Sequence, residues 1–282
     1  MSAVMTSQPA RLDLDALLVN ASGEFIKVFE PLPFVRVLML NRPDAMNSWH
    51  GAMRAEMAQA IHDLAESEVR AAVICGNAKS FSAGEDVRGM GDLSAMSTKR
   101  FRAIARNFHD VFDVIESIEV PVIAAVEGVA AGGGMEMALS CDFRIAGRKA
   151  RFGLPEMNVG LIPGSGGCSR LVRLVGLARA KQVLLLEGVM GAERAEQLGL
   201  VTQLVEAGEA LPRALEIASV LAGKAPQAVG MAKLVLNACS EVDLDTGRRF
   251  ERLGQSVLKK TKDHAEGVFA FLEKRKADWT AT

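Results

Sequence analysis

Three consecutive glycines, Gly132-Gly133-Gly134, follow the apolar run Pro121-Val122-Ile123-Ala124-Ala125-Val126 and precede Met135-Glu136-Met137-Ala138-Leu139. Glycine loses more backbone freedom on folding than any other residue, so a triplet makes a poor strand or mid-helix segment. The apolar run predicts a strand. The triplet predicts a turn feeding a helix that begins at Gly133 or Gly134, with bare backbone where a ligand can approach closely. The first N–H groups of such a helix lack intrahelical partners, and the helix dipole adds partial positive charge beside them. That is the outline of an oxyanion or phosphate site. Further on, Arg151-Phe152-Gly153-Leu154-Pro155-Glu156 and Gly160-Leu161-Ile162-Pro163-Gly164-Ser165-Gly166-Gly167 lead into a second helix. Glu156, held after a proline and flanked by Leu154 and Met157, is placed like a carboxylate with a raised pKa. Glu136 has a plain reading as a dipole complement, and Glu156 one as a solvated turn residue. Together they suggest paired carboxylates beside N–H donors, an arrangement that does not by itself name a reaction.

The rest of the chain reads as α/β. Phe25–Phe29 and Val35–Leu40 predict two strands joined across Pro31-Leu32-Pro33. Asn41–Ser48 predicts a loop in which Ser48 caps a helix over about 51–67, with Met53, Met57, Ala60, Ile61 and Leu64 on one face. Ala71–Cys75 predicts a strand buried on both faces, and strand-helix-strand order implies parallel pairing under a covering helix. Ser80–Arg88 is a small-residue loop after a strand, where α/β proteins keep their sites. Helices follow over 98–117, 165–175 and 178–187, with strands at 142–146 and 200–205. From about residue 207 the pattern is helical only, over 211–223, 226–239, 245–260 and 264–278. In the last of these, Ala265, Val268, Phe269 and Leu272 form one stripe, and Phe271 points about 100° away from Leu272. The expected organisation is a loosely held leader over 1–22, an α/β core with the site over 23–206, and a helical oligomerisation region over 207–282.

Composition narrows the classes. The 282 residues are 49% hydrophobic and 24% charged, ordinary for a soluble globular protein with a sizeable core. The net charge is -1 with no basic block, so nucleic acid is not an expected partner. The most apolar stretch, 120–139, carries Glu127, Glu136 and the glycines, and an acidic residue at mid-span costs roughly 2.5–3.5 kcal/mol on insertion scales, so no membrane span is expected. Cys75, Cys141, Cys168 and Cys239 are widely spaced, which suits small buried hydrophobes in a reducing, cytoplasmic compartment. His50, His62, His109 and His264 show no metal-ligand spacing, and no metal is expected. A P-loop and a G-x-S-x-G elbow are absent. With no tyrosine in the chain, a mechanism that needs a phenol is excluded.

Taken in order, Leu40-Asn41-Arg42-Pro43, Phe81-Ser82-Ala83-Gly84-Glu85-Asp86, the strand at Pro121, Gly132-Gly133-Gly134-Met135-Glu136, Phe152-Gly153-Leu154-Pro155-Glu156, Ile162–Gly167 and Phe271-Leu272-Glu273-Lys274-Arg275 closely resemble the enoyl-CoA hydratase/isomerase, or crotonase, superfamily. The likeness runs from about Phe25 to Trp279. It implies a crotonase-like spiral of repeated strand-strand-helix units with a C-terminal helical trimerisation region, assembled as a homotrimer or a dimer of trimers. It implies an oxyanion hole made by the backbone N–H groups of Glu85 and Gly133, with Glu136 as the base that activates water and Glu156 as the acid at the α-carbon. The substrate would be an acyl-CoA thioester, and no separate cofactor is expected. Ala83, Gly84, Asp86, Val87, Arg88, Gly132, Gly134, Pro155 and Gly164 would border it, with Phe271 and Lys274 of a neighbouring subunit closing on the CoA. Two glutamates favour hydration of a 2-enoyl-CoA. The alternatives are a 3,2-enoyl-CoA isomerase, which generally needs only the carboxylate at the Glu156 position, a CoA-thioester hydrolase, and a non-enzymatic RNA-binding or scaffold relative. The segment 89–100, rich in glycine and polar residues, would border the acyl pocket.

Overall fold

The apolar runs stack into one sheet. In the computed structural model, which describes residues 14–86, 88 and 96–282, strands β1 (Ile26–Leu32), β2 (Val35–Leu40), β3 (Ala71–Cys75), β5 (Val122–Val126), β7 (Phe143–Gly147) and β10 (Gln203–Val205) lie in that spatial order. β1 runs antiparallel to β2, and every other neighbour pair is parallel. β3 and β5 are buried at every residue, as expected of runs without polar alternation. Successive side chains point to opposite faces. Leu38, Leu40, Ile74, Val122 and Ala124 therefore meet the apolar stripe of α2 (Gly51–Ala65), which is Met53, Met57, Ala60, Ile61 and Leu64. Val37, Val73, Ile123 and Ile145 meet Ala210, Ala214, Leu215 and Ala218 of the helix Ala210–Ala222 on the other face.

A second, smaller sheet carries the site. Its strands β4 (Ser80–Ser82), β6 (Val129–Ala131), β8 (Arg151–Gly153) and β9 (Val189–Gly191) are ordered as numbered. β4, β6 and β8 run parallel, and each directly follows a strand of the large sheet in the chain. This produces the strand-strand-helix repeat. The sequence reading made 80–88 wholly a loop and left out β6, β8 and β9, because three-residue strands are too short to show a period of two.

Other boundaries shift for local reasons. His50, not Ser48, caps α2, its ring nitrogen accepting from the Met53 N–H at 3.4 Å; Ser48 Oγ instead accepts from Arg42 at 3.1 Å. The helices expected over 165–175 and 178–187 are one element, α5 (Gly167–Gln182), broken internally at Gly176, whose φ is 75°, and followed by a wide turn at Val183–Glu187. The last helix, Lys262–Glu273, stops at Lys274 in the left-handed region instead of running to 278. On it Val268, Phe269 and Leu272 are exposed and Ala270 is buried, so the expected stripe faces outward in the single chain. Within the 1–22 stretch, Leu14–Val19 forms a short helix with Leu14, Leu17 and Leu18 packed on the α/β core. Among the described residues no helix is long and apolar enough to cross a membrane.

Lys233, buried on the helix Pro226–Cys239, ties the helical region to the core. Its ammonium donates to Ile115 O at 2.7 Å and Val120 O at 2.9 Å and pairs with Asp142 at 2.8 Å. Three acceptors match its three donors, which is what makes a buried ammonium tolerable. The packing of the helix Gly133–Ser140 on the small sheet is equally tight: a Cβ on Gly134 would lie 2.2 Å from the Ser82 carbonyl oxygen. Backbone cannot yield there, so Gly134→Ala is expected to lose about 1–3 kcal/mol in urea unfolding. Gly51→Ala, where a Cβ meets nothing within 4 Å, should stay within about 0.5 kcal/mol of the parent.

Candidate active site

Glu136 lies in the first turn of α4 (Gly133–Ser140) and is only 3% exposed. Its Oε1 accepts two backbone hydrogen bonds, from Ser165 N–H at 2.7 Å and Gly167 N–H at 2.9 Å. Both donors sit at the N-terminus of α5, whose dipole also favours an anion there. Gly167 must be bare, because a Cβ on it would lie 3.0 Å from the same oxygen. Arg170, one turn further along α5 and buried, holds this loop in place. It donates to Ser165 O at 2.8 Å and pairs with Asp113 and Glu116 of α3 (Thr98–Ser117).

Glu156 has the opposite surroundings. It lies in the short 3₁₀ turn Pro155–Val159, reached from the buried Leu154. Its Oε2 is buried without a hydrogen-bond partner among the described residues. Burial pushes its carboxyl up to about 7, and the negative charge of Glu136 adds to the shift. Of its apolar neighbours, Leu154 is buried and Met157 is 38% exposed. Glu156 Oε1 would lie 3.2 Å from a Cβ on Gly132, so the second carboxylate lies against the glycine turn that precedes the first.

Beside the glycine turn is a pair of open donors. Gly84, with φ 86°, fits against the triplet so closely that a Cβ on it would lie 2.9 Å from the Gly133 nitrogen. Trp49 and Glu85 form a parallel bridge in which Trp49 N–H donates to Gly84 O at 2.7 Å and Asp86 N–H to Trp49 O at 3.0 Å. Neither the Glu85 N–H nor the Gly133 N–H has an acceptor among the described residues. The Glu85 side chain is turned away and paired with Arg54. Two N–H groups from separate loops, one on either side of Gly84, can bind one oxygen that gains negative charge.

The remaining predicted residues divide into two groups. Ala83 is held by its N–H to Met46 O at 2.9 Å and continues the strand end toward Gly84, and Gly164 immediately precedes Ser165. Asp86 is gripped by the Arg88 and Arg42 guanidiniums, which hold its carboxyl far below the usual range. Arg88 itself is exposed on the loop. Val87 and most of the 89–100 segment lie outside the described residues. Phe271, 83% exposed, lines an open apolar cleft of about 550 Å³ with Ala228, Leu258, Val268 and Trp279. That cleft lies wholly in the C-terminal helices. The single chain therefore does not bring Phe271 to the two glutamates, and Lys274 is the cap of the same helix. The sequence reading missed Ser165 and Gly167 as the donors to Glu136, and Arg170 as their brace. The glycines before α5 were the available signal: a bare helix start can serve a side chain of the protein as well as a ligand. Among the described residues no cluster of His, Cys, Asp or Glu is placed to hold a metal ion.

Comparison with known proteins identifies the family. The family model for enoyl-CoA hydratase/isomerase matches residues 34–282. The crotonyl-CoA hydratase of Syntrophomonas wolfei is 42% identical over 245 residues, covering 86% of this chain and 93% of that protein. The short-chain-enoyl-CoA hydratase of Clostridium acetobutylicum is 39% identical over 246 residues, covering 86% and 93%. The crystal structure of the enoyl-CoA hydratase from Bacillus anthracis superposes with a TM-score of 0.87 at 34% identity, covering 92% of this chain and all of that one. The overall fold is thus shared along nearly the whole chain with a solved relative, and the chain belongs to the enoyl-CoA hydratase/isomerase family.

Proposed function

We propose that this chain is an enoyl-CoA hydratase that adds water across the double bond of a 2-enoyl-CoA thioester to give a 3-hydroxyacyl-CoA. The observation that carries the reading is the pair of glutamates in contrasting environments beside two open backbone donors. Glu136, fixed by Ser165 and Gly167, takes a proton from water as the water oxygen bonds to C3. Glu156, protonated near neutrality, delivers a proton to C2. Between these events negative charge passes to the thioester oxygen, where the Glu85 and Gly133 N–H groups stabilise it more than they stabilise the ground-state carbonyl. Each turnover leaves Glu136 protonated and Glu156 ionised, and proton exchange with solvent resets the pair. An isomerase acting on 3-enoyl-CoA would use Glu156 alone. The two donors dedicated to Glu136 favour the hydratase.

The exposed apolar side chains Leu236, Leu244, Leu253, Phe271 and Leu272 on the C-terminal helices support self-association through that region as a homotrimer or a dimer of trimers. In that arrangement Phe271 and Lys274 of one protomer serve the CoA of another. A reducing, cytoplasmic setting suits the free cysteines, of which Cys75 and Cys141 are buried thiols pushed up to about 12.

Glu136→Gln and Glu156→Gln should each lower kcat for crotonyl-CoA hydration by at least about 10²-fold, the lower range of general acid–base contributions, as followed by loss of enoyl thioester absorbance. Near parental turnover in either variant would contradict the roles given, and release of free thiol would point to a hydrolase. The pH profile has a defined sign. Hydration needs Glu156 protonated, so kcat/KM should fall about tenfold per unit as pH rises above about 7. The stability contribution of the same group runs in the same direction. Its folded pKa lies above its ordinary 4.5, so the contribution is full below about 4.5 and lost as pH rises through about 7. Denaturant unfolding across this window should show that slope in the parent and not in Glu156→Gln.

A further inference from the structure

Trp49 reaches the Glu85–Gly133 pair from both sides. Its own N–H and C=O engage Gly84 and Asp86, so its main chain brackets the peptide that carries the Glu85 N–H. Its indole leans toward the other donor: a Cβ on Gly133 would lie 3.5 Å from Trp49 Cδ1 and 3.8 Å from Nε1. Phe112 of α3 holds the ring from behind in an edge contact, with centroids 6.2 Å apart. The side chain is 3% exposed, and its Nε1–H has no acceptor among the described residues. Packing needs only a ring here. The N–H adds a desolvated donor with no acceptor among the described residues, on the part of the ring nearest Gly133. Glu156 Oε2 is the other unmatched buried group beside the glycine triplet, and the mechanism above gives it a reacting partner. A buried polar atom with no partner in the fold calls for a ligand atom in the same way.

We infer that the Trp49 indole N–H is a third hydrogen-bond donor to the thioester oxygen, acting with the Glu85 and Gly133 N–H groups as that oxygen becomes an enolate. The inference rests on the hydratase reading above. It makes Trp49 a catalytic residue by contact with the reacting oxygen, and its main chain a positioning element for Glu85.

Trp49→Phe keeps an aromatic ring beside Phe112 but removes the N–H together with part of the indole's volume, so the indole N–H signal of the parent is read alongside it. Its kcat for crotonyl-CoA should fall about 10- to 100-fold with KM little changed, as expected for one hydrogen bond to a charged oxygen. The thioester C=O stretch of bound butyryl-CoA, which cannot be hydrated, should shift less to low frequency in Trp49→Phe than in the parent. A kcat within about twofold of the parent, together with an unchanged stretch, would overturn the assignment. Should Trp49→Phe fail to fold, the parent protein decides. In ¹⁵N-indole spectra, with Trp279→Phe identifying the signals, the Trp49 N–H proton should move downfield on adding butyryl-CoA, and a stationary or upfield-moving signal would overturn the inference. A parent enzyme that binds butyryl-CoA but does not hydrate crotonyl-CoA would instead count against the hydratase reading, and the indole signal would still decide whether Trp49 meets the thioester.

Discussion

The clasp of Glu136 by the Ser165 and Gly167 N–H groups is the constraint around which the site is built. It requires α5 to begin where α4 presents its first turn, and it requires no side chain at Gly167, whose Cβ would crowd the carboxylate. That meeting depends in turn on the small sheet. β4 and β6 run parallel, and only a bare Gly134 lets α4 start against the Ser82 carbonyl. Arg170 completes the arrangement by fastening the Ser165 loop to two acidic residues of α3. A carboxylate taken out of water is stabilised here by two fixed N–H groups and a helix dipole, which favour its charged form.

The second carboxylate gains its character from what it lacks. Glu156 has a buried, unmatched oxygen and the charge of Glu136 nearby, and both effects favour its neutral form. Paired carboxyl groups with divided environments are a general route to one acid and one base at the same pH. The oxyanion donors follow the same logic of groups left unmatched by the fold. The Glu85 and Gly133 N–H groups have their geometry fixed by Gly84 and Trp49, and neither meets an acceptor among the described residues. A substrate oxygen that becomes negative gains most from such donors, because they need no reorganisation when the charge appears.

Much of this could be read from the chain. β3 and β5 were legible because uninterrupted apolar runs have few other homes, and α2 because its five apolar residues keep a 3.6-residue spacing. The glycine triplet marked the helix start, and the apolar residues flanking Glu156 pointed to its raised pKa. The small sheet was hidden because its strands are three residues long and owe their pairing to neighbours far off in sequence. The partners of Glu136 were hidden for a related reason: backbone N–H groups carry no residue signature. The cap of α2 fell to His50 because Ser48 was already engaged by Arg42, a contact that spacing alone cannot reveal. The stripe of the last helix was legible as an apolar face, but periodicity does not report what covers it, and in the single chain it is exposed.

The central claim is that Glu156, beside the clasped carboxylate of Glu136, stays a protonated acid up to about pH 7, and infrared difference spectroscopy across a pH titration tests it most directly. The account predicts a carboxylic-acid C=O band that persists at pH 6, titrates with a midpoint of about 7, and is absent from Glu156→Gln. In Glu136→Gln the band should remain but titrate lower, because the neighbouring charge is gone. A protein whose carboxylic-acid bands all vanish near the ordinary glutamate value of 4.5 would contradict it.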